Sequence, residues 1–98
     1  MREKQIEEKL RQAIKAMGGI AYKFTSPGNI GVPDRIILLP GGRVWFVELK
    51  TDTGRMTANQ ERQTQRIRET GANACTLYGM DGVNAFLAER RAELDDEI

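Results

Sequence analysis

Histidine is absent from this 98-residue chain and cysteine occurs once, at Cys75. Together these exclude zinc-finger and His-Cys zinc sites, so any metal must sit on oxygen ligands, which favours magnesium, manganese or calcium. A single thiol also excludes an internal disulfide, and among apolar neighbours it reads as a small core residue. Long hydrophobic runs are missing as well. The longest, Ile36-Leu39 and Val44-Val47, are far too short to cross a bilayer, and no apolar block follows the charged N-terminus as a signal peptide requires. The expectation is a cytoplasmic protein with no membrane partner. No repeat, low-complexity stretch or linker is visible, and the length suits about one domain with one core.

What is present is ordinary for a globular chain, with 40% apolar and 30% charged residues. The net charge of +1 hides an asymmetry. Glu93, Asp95, Asp96 and Glu97 crowd the C-terminus, and without them 15 basic residues face 10 acidic ones, a balance of +5. A mildly basic body suits a polyanion, and the acidic end reads as a tail from about residue 93 on a single domain.

Periodicity assigns the elements. Ile6, Leu10, Ala13, Ile14 and Met17 recur at helical spacing, and Gly18-Gly19 closes that helix. Ile20 to Phe24 reads as a strand, and Ser26-Pro27-Gly28-Asn29 with Gly31 as a loop. Asp34 to Leu39 and Arg43 to Lys50 are β-rich runs around Pro40-Gly41-Gly42, hence a hairpin. Thr57 caps a helix that runs to Thr70 before Gly71. Ala72 to Tyr78 is a strand, and Asp81, as N-cap, opens a last helix to about Arg91. The order α-β-β-β-α-β-α predicts an α/β fold, a mixed sheet flanked by helices.

Hairpin register decides whether the acids meet. A two-residue Gly41-Gly42 turn would pair Leu38 with Trp45 and send Asp34 and Glu48 to opposite faces. A three-residue Pro40-Gly41-Gly42 loop pairs Leu39 with Arg43, and hence Asp34 with Glu48. In that register Asp34, Ile36, Leu38, Val44, Phe46, Glu48 and Lys50 share one face. Opposed carboxylates repel unless something neutralises them, and a divalent cation does so. Glu48 also interrupts the apolar run Val44-Trp45-Phe46-Val47, where a plain buried strand would stay apolar. Lys50 lies on the same side by strand period.

Two helices offer further groups. At about 100° per residue, Glu3 and Glu7 fall on or beside the stripe of Ile6, Leu10 and Ile14, whereas Glu8 falls on the far side. Glu7 is the preferred third carboxylate, set against a surface glutamate paired with Arg11. In the second helix, the stripe Met56, Gln60, Gln63, Ile67 is half amide. An inward Gln60 needs a partner, such as a metal-bound water or a substrate phosphate, unless the helix is simply part-exposed. Oxygen ligands of this kind hold Mg²⁺, which activates water against a phosphodiester. Lys50 would deprotonate that water or stabilise the pentavalent phosphate, and the sequence does not choose.

At these residues the chain resembles the PD-(D/E)XK nuclease superfamily, and within it the VRR-NUC domain in its short, stand-alone, phage-type form. The matching text is Glu3-Lys4-Gln5-Ile6-Glu7, Gly31-Val32-Pro33-Asp34-Arg35, Phe46-Val47-Glu48-Leu49-Lys50 and Gln60. The resemblance implies a restriction-endonuclease-like sheet and a Mg²⁺ or Mn²⁺ site of Asp34, Glu48 and the Leu49 backbone carbonyl, with Glu7 in the helix position. It also makes Lys50 the catalytic lysine and Gln60 the active-site glutamine. Stand-alone members are similar to Holliday-junction resolvases, acting as homodimers on four-way branched DNA. Glu3 and Glu7 both fit the helix position.

Lys23, Ser26, Arg35, Arg55 and Arg62, with Arg66, are candidate DNA contacts, and Gly28 and Gly31 allow close backbone approach. Trp45, with Ile37 and Leu39 on the opposite face, awaits cover from the last helix or a partner subunit. Three functional readings compete: a structure-selective endonuclease, a catalytically silent nucleic-acid-binding module, and a restriction-type endonuclease, for which there is little room for a base-reading element.

Overall fold

A computed structural model describes residues 2–96 and orders the elements as the periodicity predicts. They are α1 (Glu3–Ala16), β1 (Ile20–Lys23), β2 (Arg35–Leu39), β3 (Arg43–Lys50), α2 (Ala58–Glu69), β4 (Asn73–Tyr78) and α3 (Gly79–Asp96). The sheet order is β1-β2-β3-β4. Three strands run antiparallel, while β4 returns through α2 to lie parallel to β3. An antiparallel meander needs only turns, whereas the parallel strand needs a helical crossover.

The loop of three residues sets the hairpin register. Leu39 pairs with Arg43 and Arg35 with Val47. Gly41 and Gly42 have φ of +85° and +74°, a backbone that side chains with a Cβ avoid. Period 2 then sorts the side chains. Ile37, Leu39, Val47 and Leu49 turn to one face and are buried there with Ile6, Leu10 and Ile14 of α1 and Val83, Phe86 and Leu87 of α3. The other face carries α2 beside β4, through Gln63 and Thr64. Ile20, Tyr22 and Val44 stay exposed on the part that α2 does not reach.

Two glycines are needed for close approach. A Cβ on Gly19 would collide with the Leu38 carbonyl, so only glycine lets the chain turn from α1 into β1 against β2. At Gly31, φ is +95° and an added Cβ would lie 2.5 Å from the Asn59 carbonyl carbon. The loop between β1 and β2 therefore presses on the first turn of α2. This corrects the expectation that Gly31 leaves its backbone open for DNA, because the close approach is made to α2.

Two more expectations change, and one open choice is resolved. The last helix begins at Gly79, with φ +64°, so Asp81 lies inside its first turn rather than capping it. Its other end runs to Asp96, so the acidic stretch expected as a tail from about 93 is helical that far, and residues 97–98 lie outside the described residues. Glu93 there meets Arg90 at 3.0 Å and Arg43 at 3.7 Å, which ties the acidic end to the domain. Lastly, α3 covers Trp45. The indole packs edge-on against Phe86 at 5.4 Å, and the Arg90 guanidinium lies 4.1 Å from the Trp45 ring centroid. Burial pushes the Cys75 thiol up to about 11, as suits a core residue.

Candidate active site

The site gathers at one end of the sheet. Asp34 immediately precedes β2, and its carbonyl accepts the Phe24 N–H at 2.8 Å, which ties it to the end of β1. One step beyond the Arg35–Val47 pair, it stands opposite Glu48. Each acid holds backbone across the hairpin: the Leu49 N–H donates to Asp34 Oδ1 at 3.3 Å, and the Asp34 N–H donates to the Glu48 carboxylate. A pair of carboxylates is thereby fixed at the hairpin mouth by the ladder itself.

Glu48 is 6% exposed. Burial, then the charge of Asp34, push its carboxyl up to about 7, against the pull of Lys50 and of the Asp34 amide. Asp34 is also raised, chiefly by burial, with Glu7 and Glu3 adding to the shift and the Leu49 N–H and Arg35 opposing it. Lys50 Nζ lies 3.7 Å from Glu48 Oε2. The two groups are neighbours on the same face, as strand period requires.

From the other side, α2 delivers Gln60. The motif Thr57-Ala58-Asn59-Gln60 is a capping box: the Gln60 N–H donates to Thr57 Oγ1 at 3.1 Å, and Gln60 Oε1 accepts the Thr57 N–H at 2.9 Å. With its oxygen held, the amide turns Nε2 toward Glu48 Oε2 at 3.4 Å. A residue singled out as an inward amide thus has a local reason for its orientation, legible as Thr-x-x-Gln.

Glu7 and Glu3 enter from α1. Carboxylate oxygens of Glu3, Glu7 and Asp34 lie within 4.8 Å of one another. Glu48 is not within that group of three; it faces Asp34 from β3, while Arg35 pairs with Glu7 and Lys50 with Glu48. All donors are hard oxygens, so the residues fit a divalent ion such as Mg²⁺ or Mn²⁺.

The expected DNA contacts divide. Lys23 lines a hollow beside the acids with Glu7, Phe24, Thr25, Asp34 and Arg35. Arg55 and Arg62 are exposed, and Arg62 is held by Asn59 Oδ1 at 2.6 Å. Ser26 Oγ accepts from Asn29 at 2.9 Å, which braces its loop. Arg35 is corrected. Strand parity turns it to the α1 face, where it is 8% exposed and its guanidinium meets Glu7 Oε1 at 2.8 Å. That engagement went unseen in the sequence, where only the alternation along β2 hinted at an inward arginine.

This fold and its acidic cluster define a nuclease domain of the restriction-endonuclease-like α/β class. No family model matches the chain. The protein named "Putative nuclease p44", from Acyrthosiphon pisum secondary endosymbiont phage 1, is 42% identical over 81 residues, which are 83% of this chain and 87% of that protein. A solved VRR-NUC domain superposes with a TM-score of 0.82 at 29% identity, covering 88% of this chain and 94% of that one. A second VRR-NUC domain protein gives 0.71 at 16% identity, over 91% and 87% of the two chains, and shows the fold alone. So does Archaeoglobus fulgidus Hjc, a Holliday junction resolvase, with 0.56 at 20% identity over 78% of this chain and 67% of that one. The chain belongs to the VRR-NUC family of nuclease domains.

Proposed function

We propose that the chain is a metal-dependent, structure-selective DNA endonuclease that resolves four-way junctions as a homodimer. The observation that carries the reading is the opposition of Asp34 and Glu48, with Lys50 Nζ 3.7 Å and Gln60 Nε2 3.4 Å from the same Glu48 oxygen. Buried like charges destabilise a sheet, and a bare scaffold gains nothing by keeping them. This favours the enzyme over a silent binding module.

Asp34, Glu48, the Leu49 carbonyl and an acid of α1 would hold the ion. When bound, Mg²⁺ or Mn²⁺ supplies Lewis-acid stabilisation of the attacked phosphate and eases ionisation of water. Lys50 either takes the proton from the attacking water or, as an ammonium, meets the negative charge on the phosphate oxygens. Gln60, its oxygen fixed by the cap, donates from Nε2 and orients the nucleophile or a phosphate oxygen. Lys23, Ser26, Arg55 and Arg62 steer the backbone of the DNA toward the acids. Hjc is a Holliday junction resolvase of related fold. That likeness motivates the choice of junctions as the first substrate to try.

The test incubates the protein with four-way junctions, flaps and linear duplex, in Mg²⁺, in Mn²⁺ or in EDTA. Paired symmetric nicks in the junction, abolished by EDTA, are expected. No cleavage of any substrate in either metal would refute the enzyme; cleavage of duplex alone would refute the junction preference.

A further inference from the structure

Among the described residues no large apolar side chain is more exposed than Ile30, at 74%. Ile20, Tyr22 and Val44 share the open part of the sheet, whereas Ile30 stands apart from them in the loop between β1 and β2. A single exposed isoleucine is ordinary, but this one is held out by a braced loop beside the site. On one side of it, the Asn29 N–H donates to the Ser26 carbonyl at 3.0 Å, and Asn29 Nδ2 donates to Ser26 Oγ at 2.9 Å. On the other, Gly31 lies against the peptide bond between Asn59 and Gln60, and Pro33 is fully buried. Ile30 and Gly31 form a turn, and the Gly31 φ of +95° suits the third residue of a type II turn, which leaves Ile30 at the corner ahead of it. That corner stands at the α2 side of the active site, since Gln60, whose backbone Gly31 touches, reaches Glu48 through Nε2. Asn59, touched by the same glycine, holds the Arg62 guanidinium.

We propose that Ile30 is a wedge that enters between bases at the branch point of DNA seated on the acids, and so distinguishes branched DNA from continuous duplex. The inference rests on the reading of the chain as an endonuclease of branched DNA. An apolar side chain that enters a base step must unstack it, and the cost is lowest where stacking is already interrupted. A branch point offers such a break, whereas a continuous duplex has to be opened. Isoleucine suits the task because its branched Cβ makes it stiff at χ1, and it carries no polar atom that would need a partner between the bases. The bracing serves the same end, since a loop that yielded would withdraw the side chain instead of parting the bases.

The test uses four-way junctions and linear duplexes that carry 2-aminopurine, a base whose fluorescence rises when it is unstacked, at the branch point or the matching duplex position. The full chain is bound to each with Ca²⁺ in place of Mg²⁺. Wild type should raise the fluorescence of the junction and leave that of the duplex nearly unchanged. Ile30→Ala alters a side chain that is 74% exposed, so it should melt as the wild type does. It should lose most of the fluorescence rise and bind the junction about tenfold more weakly, with duplex affinity unchanged. Ile30→Leu should keep both the rise and the affinity. The wedge is overturned if Ile30→Ala keeps the rise, or if it weakens junction and duplex binding alike, which would make Ile30 a general contact. Wild-type protein that favours no junction over duplex would sink the junction reading together with the wedge, whereas a junction preference that survives Ile30→Ala sinks the wedge alone.

Discussion

Glu48 makes the metal-free protein less stable than its fold allows, and the size of that effect can be worked out. Its carboxyl is shifted from an ordinary 4.5 to about 7 by burial and by Asp34. At about 1.4 kcal/mol per pH unit, the ionised form costs the folded, metal-free protein roughly 3 kcal/mol. The folded pKa is raised, so this group's contribution to stability is fully present below pH 4.5 and is lost as pH climbs to about 7. Glu48→Gln removes the charge but keeps the shape. It weakens the contacts with Lys50 and the Asp34 amide, returning about 1 kcal/mol. The net expectation is a variant about 2 kcal/mol more stable than wild type at pH 8 in EDTA, a melting temperature roughly 10 °C higher. Its stability should vary less between pH 5 and 7 than that of the wild type, as read by urea unfolding followed by circular dichroism. Added Mn²⁺ should stabilise the wild type and not the variant. A Glu48→Gln protein that melts below wild type at pH 8 without metal would refute the reasoning, since it would mean that Lys50 and Gln60 already compensate the charge.

Other perturbations separate catalysis from architecture. Lys50→Ala is expected to cut junction cleavage by about 10²- to 10⁴-fold while Mn²⁺ binding measured by calorimetry persists. Thr57→Ala removes one half of the capping box and should cost about 1 kcal/mol in urea unfolding. Gln60→Ala should show a similar loss of stability and, in addition, a fall in kcat that Thr57→Ala lacks. At Gly31, alanine must adopt φ +95° with its Cβ 2.5 Å from the Asn59 carbonyl carbon. A cost of about 1–3 kcal/mol in unfolding is expected, together with reduced cleavage because Gln60 is displaced. Wild-type stability in Gly31→Ala would show that the loop simply yields.

Much of the site was decided by local rules. Pro40-Gly41-Gly42 narrowed the hairpin to two closures, and in the three-residue one that the chain adopts, period 2 carries Asp34 opposite Glu48 and Lys50 to the same side. The stripe of α1, the Thr57 cap and the order of elements are equally short-range, depending on residues fewer than five apart. Even the inward aim of Gln60 was written in Thr57-x-x-Gln60. Tertiary structure decided the rest. Whether Arg35 met solvent or Glu7 depended on α1 crossing the sheet above it, and the two residues are 28 positions apart. Trp45 had two possible covers, and the outcome turned on α3 laying Phe86 and Arg90 over the indole. The acidic C-terminal stretch reads as a solvated tail by composition, yet Arg90 and Arg43 draw Glu93 onto the domain. In each case the missing element was a charge or ring from a distant part of the chain, and no pattern within a single helix or strand can specify which partner the folded chain brings alongside.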